Sequence, residues 1–341
     1  MTQHTARQSH LDRRMFLGHS AAGLAVLGST SASEAAPRRP MLRFGLNADP
    51  HLQGARQSGR ARKFLRFVSG MKKFQPEFAV DLGDFGIQVS EGQTTRAMHD
   101  GQLEGLKHHL GVFAQLKCPR FNVMGNHDVG WLKGGDEKIS AEDLIGRGHP
   151  GEDITKGEFL ETTGMPGRFF SADINGFHLI ILDGNNAKDE SSPQPGHDGL
   201  VGGYWIDAAQ KKWLAADLKK HRKMPKLVFC HEELHHTPEK GSGHGGDTPF
   251  PPVGKQHSYV DNGWEIRRMF AEDGHVLACF HGHKHRSRWT VYDETNYITM
   301  AATHYEASFA AITIDDAFVI QGFGKQRTYR LPLPKWLTGA G

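Results

Sequence analysis

Cysteine is scarce in this 341-residue chain, which holds only Cys118, Cys230 and Cys279. An odd and small number excludes a disulfide-stapled scaffold. Cys230 and Cys279 fall within apolar runs, where a thiol behaves as a small buried hydrophobe. Long apolar runs are missing too. Residues 18–33 come nearest, but His19, Ser20 and several glycines interrupt them. That stretch is too short to span a hydrocarbon core of about 30 Å well. Excess charge of either sign is small: 41 Lys and Arg stand against 38 Asp and Glu, for a formal net charge of +3. Such a balance demands neither a nucleic acid nor a membrane as partner. No internal repeat and no low-complexity block is present. With 38% hydrophobic and 23% charged residues, the chain suits a packed core of one large α/β layer structure and not global disorder.

Histidine is the residue in excess, at 22 copies. It is the commonest protein metal ligand, so the placement of these side chains is informative. The first 36 residues read as an export signal. Arg13-Arg14-Met15-Phe16-Leu17 resembles a twin-arginine motif, with Asp12 standing where Ser or Thr is usual. Small residues around Ser33-Glu34-Ala35-Ala36 suit a signal peptidase. The expectation is cleavage, with the twin-arginine export machinery as a partner, a periplasmic or extracellular bacterial location, and no membrane attachment afterwards. Residues 37–40 are then a linker, 41–330 a single domain and 331–341 a tail.

Within that domain, Leu42, Phe44, Leu46 and Ala48 alternate as a strand does, and the run ends in Asp49-Pro50-His51. A helical stripe through Phe64, Val68 and Met71 stops before Pro76. Residues 78–80 form a short buried strand that ends in Asp81-Leu82-Gly83-Asp84. A second stripe, Leu103, Leu106, Leu110 and Phe113, is closed by Pro119, and the next strand delivers Gly125-Asn126-His127-Asp128. This β-α-β-α-β order implies at least three parallel strands. Its polar residues sit at the carboxyl ends of strands, where open α/β sheets bind ligands. Residues 129–170 read as a long loop. Residues 177–182 are a strand, 184–203 loop again, and Ile206, Ala209, Trp213, Leu214 and Leu218 a helix. A strand at 227–230 ends in His231, and residues 234–258 form a loop rich in Gly, Pro and His. A helix around 266–270 precedes a strand at 276–280, which ends in His281-Gly282-His283-Lys284-His285. The remaining strands, at 289–291, 296–300, 309–314 and 318–320, read as a β-meander.

Five strand ends thus present Asp49 and His51, Asp84, Asn126 and His127, His231, and His283 and His285. Each alone is a weak signal. In this order and spacing the set resembles the calcineurin-like metallophosphoesterase superfamily, through its blocks D-x-H, G-D, G-N-H-D, an isolated H after a strand, and G-H-x-H. The resemblance spans roughly residues 41–320. It implies a four-layer α/β/β/α sandwich of two mixed β-sheets flanked by helices. Three oxygen donors and four imidazoles suit a pair of borderline divalent or trivalent ions, such as Mn, Fe or Zn. They exceed what one tetrahedral zinc needs, so one carboxylate must bridge. By resemblance that bridge is Asp84. One ion would take Asp49, His51, Asp84 and His285, and the other Asp84, Asn126, His231 and His283. The implied reaction is hydrolysis of a small-molecule phosphate ester, mono- or diester and in some relatives a nucleotide, by a metal-bound hydroxide. His127 would assist at the transition state or leaving oxygen, and Asp128 would hold its tautomer.

Other residues draw less weight. The family often follows the isolated His with Pro, whereas Glu232-Glu233 follow here. His235, His236, His244 and His257 read as solvated loop histidines, and His281 as pointing away from the metals. His304 belongs to the core or to the rim of the site, and Asp183 ends a strand on the same face. The wording around 47–51 and 77–84 leans weakly toward the cyclic-nucleotide phosphodiesterase, purple acid phosphatase and nucleotide-diphosphatase groupings. A purple centre needs a tyrosine where this chain has Ile87. Two rival functions stand beside the hydrolase. One is a non-catalytic scaffold on the same fold, though such relatives lose ligands that this chain retains. The other is a nuclease, against which the near-neutral charge argues.

Overall fold

The computed structural model describes residues 42–52, 59–85, 96–128, 156–186, 204–235 and 259–338. The export-signal reading of residues 1–36 and the linker lie outside them. Two six-stranded sheets form the body of the molecule. The first is built from β1 (Leu42–Asn47), β2 (Phe78–Asp81), β3 (Arg120–Asn122), β10 (Phe309–Ile314), β11 (Phe318–Phe323) and β12 (Tyr329–Leu331), in the order β12-β11-β10-β1-β2-β3. Strands β1, β2 and β3 run parallel, and β10 pairs antiparallel with β1, Phe44 opposite Ile312. The second sheet holds β4 (Phe170–Ile174), β5 (Phe177–Leu182), β6 (Lys226–Cys230), β7 (Val276–His281), β8 (Arg288–Tyr292) and β9 (Thr295–Thr299), in the order β4-β5-β6-β7-β9-β8. Here β5, β6, β7 and β9 are parallel, with an antiparallel strand at each edge.

Alternation along the strands makes the layers. Leu42, Phe44, Leu46, Phe78 and Val80 of the first sheet join Phe177, Leu179, Ile181, Leu227 and Phe229 of the second in one buried cluster between them. Phe44 stacks on Phe78 at 4.7 Å between centroids and meets Phe280 edge-on at 5.6 Å. Burying each such ring contributes roughly 1.5–3 kcal/mol. The opposite face of the first sheet, at Ala79 and Ala311, is covered by α1 (Gly59–Phe74) and α2 (Arg96–Phe113) through Phe64, Phe67, Val68, Met71 and Phe113. The opposite face of the second, at Ile180, Val228 and Cys279, is covered by α4 (Ala208–Lys220) and α5 (Gly263–Asp273). Helix, sheet, sheet, helix: the expected sandwich is the observed one.

Three local readings need correction. The stretch 129–170 is not loop throughout: residues 157–163 form helix α3 (Gly157–Thr163), and Phe170 opens β4. β4 was detectable from its turn. Asn175 and Gly176 both have positive φ, 48° and 80°, which is the two-residue hairpin that Asn-Gly favours. The terminal strands are not one meander. The chain leaves β9 in the second sheet and returns as β10 to the middle of the first. Strand patterning is local, and sheet membership is set by distant partners. Residues 331–338, read as a tail, contain the end of β12 and a short helix α6 (Lys335–Thr338), and Leu333, Trp336 and Leu337 pack on the central core.

Candidate metal centre

Asp49 and His51 follow β1, Asp84 follows β2, Asn126 and His127 follow β3, His231 follows β6, and His283 and His285 follow β7. Because β1–β3 and β6–β7 are parallel within their sheets, each sheet delivers its polar turns at one edge. Hydrogen bonds across the loops extend the ladders. Asp49 N donates to Gly83 O at 3.1 Å, His51 N to Asp84 O at 2.9 Å, and Gly282 N to His231 O at 2.9 Å. The two sheets are joined where His283 N donates to both carboxylate oxygens of Asp49, at 3.0 and 3.1 Å.

The backbone here is held in conformations that side chains resist. Asp49, His51, Asp84, His283 and His285 all have φ between 46° and 65°. Each such residue costs of order 1–3 kcal/mol and persists where its surroundings over-determine it. Two glycines let the turns meet. Gly83, at φ +106°, lies so close to Gly125 that a Cβ would come within 2.9 Å of the Gly125 nitrogen, and a Cβ on Gly125 would collide with the Asp84 amide and carboxylate.

All seven proposed donors converge. His51 Nε2 lies 3.6 Å from Asp84 Oδ2 and 3.2 Å from His285 Nε2, which is 3.3 Å from Asp49 Oδ1. On the other side, His231 Nε2 lies 3.3 Å from Asp84 Oδ2 and 3.2 Å from Asn126 Oδ1, and His283 Nδ1 lies 2.9 Å from that same amide oxygen. Donors about 2.0–2.2 Å from a common ion stand roughly 3–3.5 Å from one another, so these spacings fit two cations with Asp84 between them. His231 Nδ1 donates to the Leu82 carbonyl at 2.7 Å, which leaves Nε2 to face the site.

The electrostatics suit cations. Burial works to raise the Asp84 carboxyl, but the His231 and His127 charges outweigh it and hold it well below the usual range. Asp49 is likewise lowered, because its hydrogen bond to His285 and the charge of His231 overcome burial. Burial pushes His51 down to about 4, and burial with the charge of His231 pushes His283 well down, so both offer neutral lone pairs. His231 and His285 go the other way: burial opposes their protonation, yet Asp84 raises the first and Asp49 the second. Cations would displace those protons.

His127 is half-buried, its main-chain N–H donates to Asp84 Oδ1 at 2.8 Å, and its ring stands 5.1 Å from that of His51. Asp128 differs from expectation. Its carboxylate does not hold the His127 ring; it accepts main-chain N–H groups from Asp84 at 2.7 Å, Phe85 at 2.9 Å and Gly125 at 3.0 Å. It ties the two turns together, a role hidden in sequence because its partners lie 43 and 44 residues away. Burial and the charge of Asp84 push its carboxyl up to about 7.

Asp183 is buried against Lys156 Nζ at 2.9 Å and Arg168 at 3.2 Å. The next residues but one carry that network to the site, since Asn185 donates to the Met124 carbonyl beside Gly125. Lys156 gave no sequence signal. His304 faces the first donor group: its Nδ1 donates to the Asp49 carbonyl at 2.8 Å, and its ring stands 4.9 Å from His51 and 4.7 Å from His285. His281 is buried and donates from Nδ1 to the Cys230 carbonyl at 3.1 Å. His235 is not solvated; it is buried beside His281 and Tyr297, 5.6 and 5.2 Å between rings. His236, His244, His257 and Ile87 lie outside the described residues.

Among curated proteins no sequence matches the chain. A dimetal phosphatase from Danio rerio has a similar fold, with a TM-score of 0.58 at 16% identity over 86% of this chain and 100% of that one. So does the anchor of the inner membrane complex of Plasmodium, with a TM-score of 0.50 at 13% identity over 87% and 90%. Identities this low establish the fold alone, and a fold hosts many functions. The family profile reaches further, for the calcineurin-like phosphoesterase pattern matches residues 42–287. With that match and the site it encloses, the chain belongs to the calcineurin-like phosphoesterase family and is a metallophosphoesterase.

Proposed function

We propose that this protein hydrolyses a small-molecule phosphate ester at a dinuclear metal centre. Asp49, His51, Asp84 and His285 would hold one ion, and Asp84, Asn126, His231 and His283 the other. One observation carries the reading: a single oxygen, Asp84 Oδ2, lies 3.6 Å from His51 Nε2 and 3.3 Å from His231 Nε2, so one carboxylate serves both halves. The mixed nitrogen and oxygen donors suit Mn, Fe or Zn. Two such ions would supply Lewis acidity and activate a water at about neutral pH.

The protein's own contributions are distinct. The main chain around Gly83 and Gly125 presses the two ligand turns together, and Asp128 locks them there. His127 stands beside the donor set without belonging to it. Its role in this reading is to hydrogen-bond a phosphoryl oxygen or to protonate the leaving oxygen. Ile87 in place of a charge-transfer tyrosine argues against a purple ferric centre. The Arg13-Arg14 motif supports export with the fold already formed, and the three cysteines, all free, suit such a route.

The test is a metal-reconstituted panel comparing a phosphomonoester, a bis-aryl phosphodiester, cyclic nucleotides and nucleotide diphosphates. His127→Ala is expected to retain both ions and to lose turnover by ~10²-fold or more. Unchanged turnover in that variant removes His127 from the mechanism, and a fully loaded wild-type chain inert on every ester removes the hydrolase reading.

A further inference from the structure

Immediately after His231 the chain carries a carboxylate that the seven-residue donor set does not use. Glu232 is fully buried, at 0% exposure. Neither of its carboxylate oxygens finds a hydrogen-bond partner on another residue among the described residues. No Lys or Arg ion pair reaches it among them either. Its neighbour Asp183 is equally buried, but has Lys156 and Arg168 against it. Removing an ionised carboxylate from water without a compensating charge or donor is among the costliest events in folding. A protein that leaves one in this state either neutralises it or supplies a cation.

The position of Glu232 favours a cation. One donor atom from each of His231, Glu232 and His283 lies within 4.8 Å of the others. Apart from the shared Asp84, this half of the site has one oxygen donor, the neutral Asn126 amide, which faces His231 Nε2 at 3.2 Å and His283 Nδ1 at 2.9 Å. The first half holds Asp49 entirely, whereas the second must share Asp84. Space for the carboxylate is provided by Gly184, where any side chain would collide with Glu232 Oε2 and press within 3.1 Å of Val260. A side chain at Gly184 would thus have to displace the glutamate carboxylate from where it now lies. The flanking main chain is fixed as well, since Gly282 N donates to His231 O at 2.9 Å and Val260 N to Glu233 O at 2.8 Å. The backbone that carries the carboxylate is thereby fixed on both sides, beside the two histidines.

We propose that Glu232 is an additional carboxylate of the second metal subsite, acting on the ion held by Asn126, His231 and His283. It does so either by direct ligation or through one intervening water. The inference rests on the dinuclear reading above and goes beyond its donor set. It balances charge: with Asp84 shared, the second ion has half a carboxylate of its own, and Glu232 restores parity with the first.

The experiment is Mn(II) titration of metal-stripped full-length protein and of Glu232→Gln, with bound metal counted by elemental analysis and coupling between ions read by electron paramagnetic resonance. Glutamine preserves shape and removes charge, and only chains whose circular dichroism matches wild type are compared. The wild type is expected to bind two ions and show a spin-coupled signal. Glu232→Gln should bind one ion with unchanged affinity and the second about 10–100-fold more weakly, with a mononuclear signal at limiting metal. Glu232→Asp, which retains charge at shorter reach, should fall between them and serves if the glutamine variant does not fold. Two ions of unaltered affinity and an unaltered coupled signal in the substituted chain overturn the role of Glu232 and leave the dinuclear reading standing. A wild type that takes up fewer than two ions overturns that reading, and this inference with it.

Discussion

At the scale of single residues, the site depends on glycines as much as on ligands. Gly125 has Asp84 pressed against it, so a methyl group there must displace main chain and not a flexible side-chain end. Gly125→Ala is expected to separate the two ligand turns, costing about 1–3 kcal/mol in stability and weakening metal uptake more than the fold. Melting temperature and metal content measured on one sample check this. A variant that melts lower yet loads both ions normally would show that the approach of the turns is unimportant. His304 adds a second residue-scale expectation. Its ring packs on His51 and His285 while its Nδ1–H is committed to the Asp49 carbonyl, which leaves Nε2 directed elsewhere. His304→Phe preserves the packing and removes that nitrogen. Turnover should fall while both ions remain, a separation that a purely structural histidine would not produce.

At the scale of elements, one histidine fastens a hairpin to a helix on the second sheet. His178 of β5 is buried, with Nδ1 2.6 Å from Asp173 of β4 and Nε2 2.7 Å from Asp217 of α4, and His221 stacked on it at 3.8 Å. Burial works against its proton, but the hydrogen bonds to Asp217 and Asp173 prevail and its pKa is raised. A group that holds its proton more tightly when folded stabilises fully below its unfolded value of about 6.5, and that contribution is lost as pH rises through the higher folded value. Asp217 forms the acid limb. Burial works to raise it, yet His178 lowers it, so its contribution is present above about 3.9 and fades as pH falls through the depressed value. The melting temperature should therefore decline as pH climbs from about 6.5, and His178→Gln should flatten that slope. An equally steep profile in the variant would assign the effect elsewhere. The β4–β5 hairpin also shows how far a local signal carries. Asn175-Gly176 dictates the turn by its tolerance of positive φ, whereas the partner of β5 on its other edge, β6, is a matter of tertiary packing.

At the scale of the whole molecule, the two sheets meet at the candidate metal centre as well as at a hydrophobic core. Asp49 comes from the first sheet and His283 from the second, joined by hydrogen bonds of 3.0 and 3.1 Å that ions would reinforce. Chelation should thus lower the melting temperature as well as abolish activity. An ion present at a hundred times its dissociation constant adds about 2.7 kcal/mol. Scanning calorimetry with and without chelator reads the difference, and coincident transitions would mean that the ligands carry no folding linkage. Phe44, stacked on Phe78 and edge-on to Phe280, marks the other joint. Phe44→Ala should cost about 3–5 kcal/mol by denaturant unfolding with the metal affinity of surviving folded protein preserved.

The order of the donors and their place at strand ends were legible in the chain itself, because strand alternation, helical stripes and short polar turns are local properties. The central β-α-β-α-β follows from them, whereas the layering and the meeting of the seven side chains were implied by the family resemblance and depend on how the two sheets pack. What local pattern could not contain was the identity of distant partners. Asp128 reaches back to the main chain of Asp84 and Phe85, Lys156 finds Asp183, Glu232 settles over Gly184, and β9 and β10 part into different sheets. Each of these is a contact between segments far apart in the chain, chosen by burial and by the need to satisfy polar groups once water has left. Residue type set which chemistry is open to this chain, and tertiary packing alone decided which carboxylates line the candidate metal site and which brace its turns.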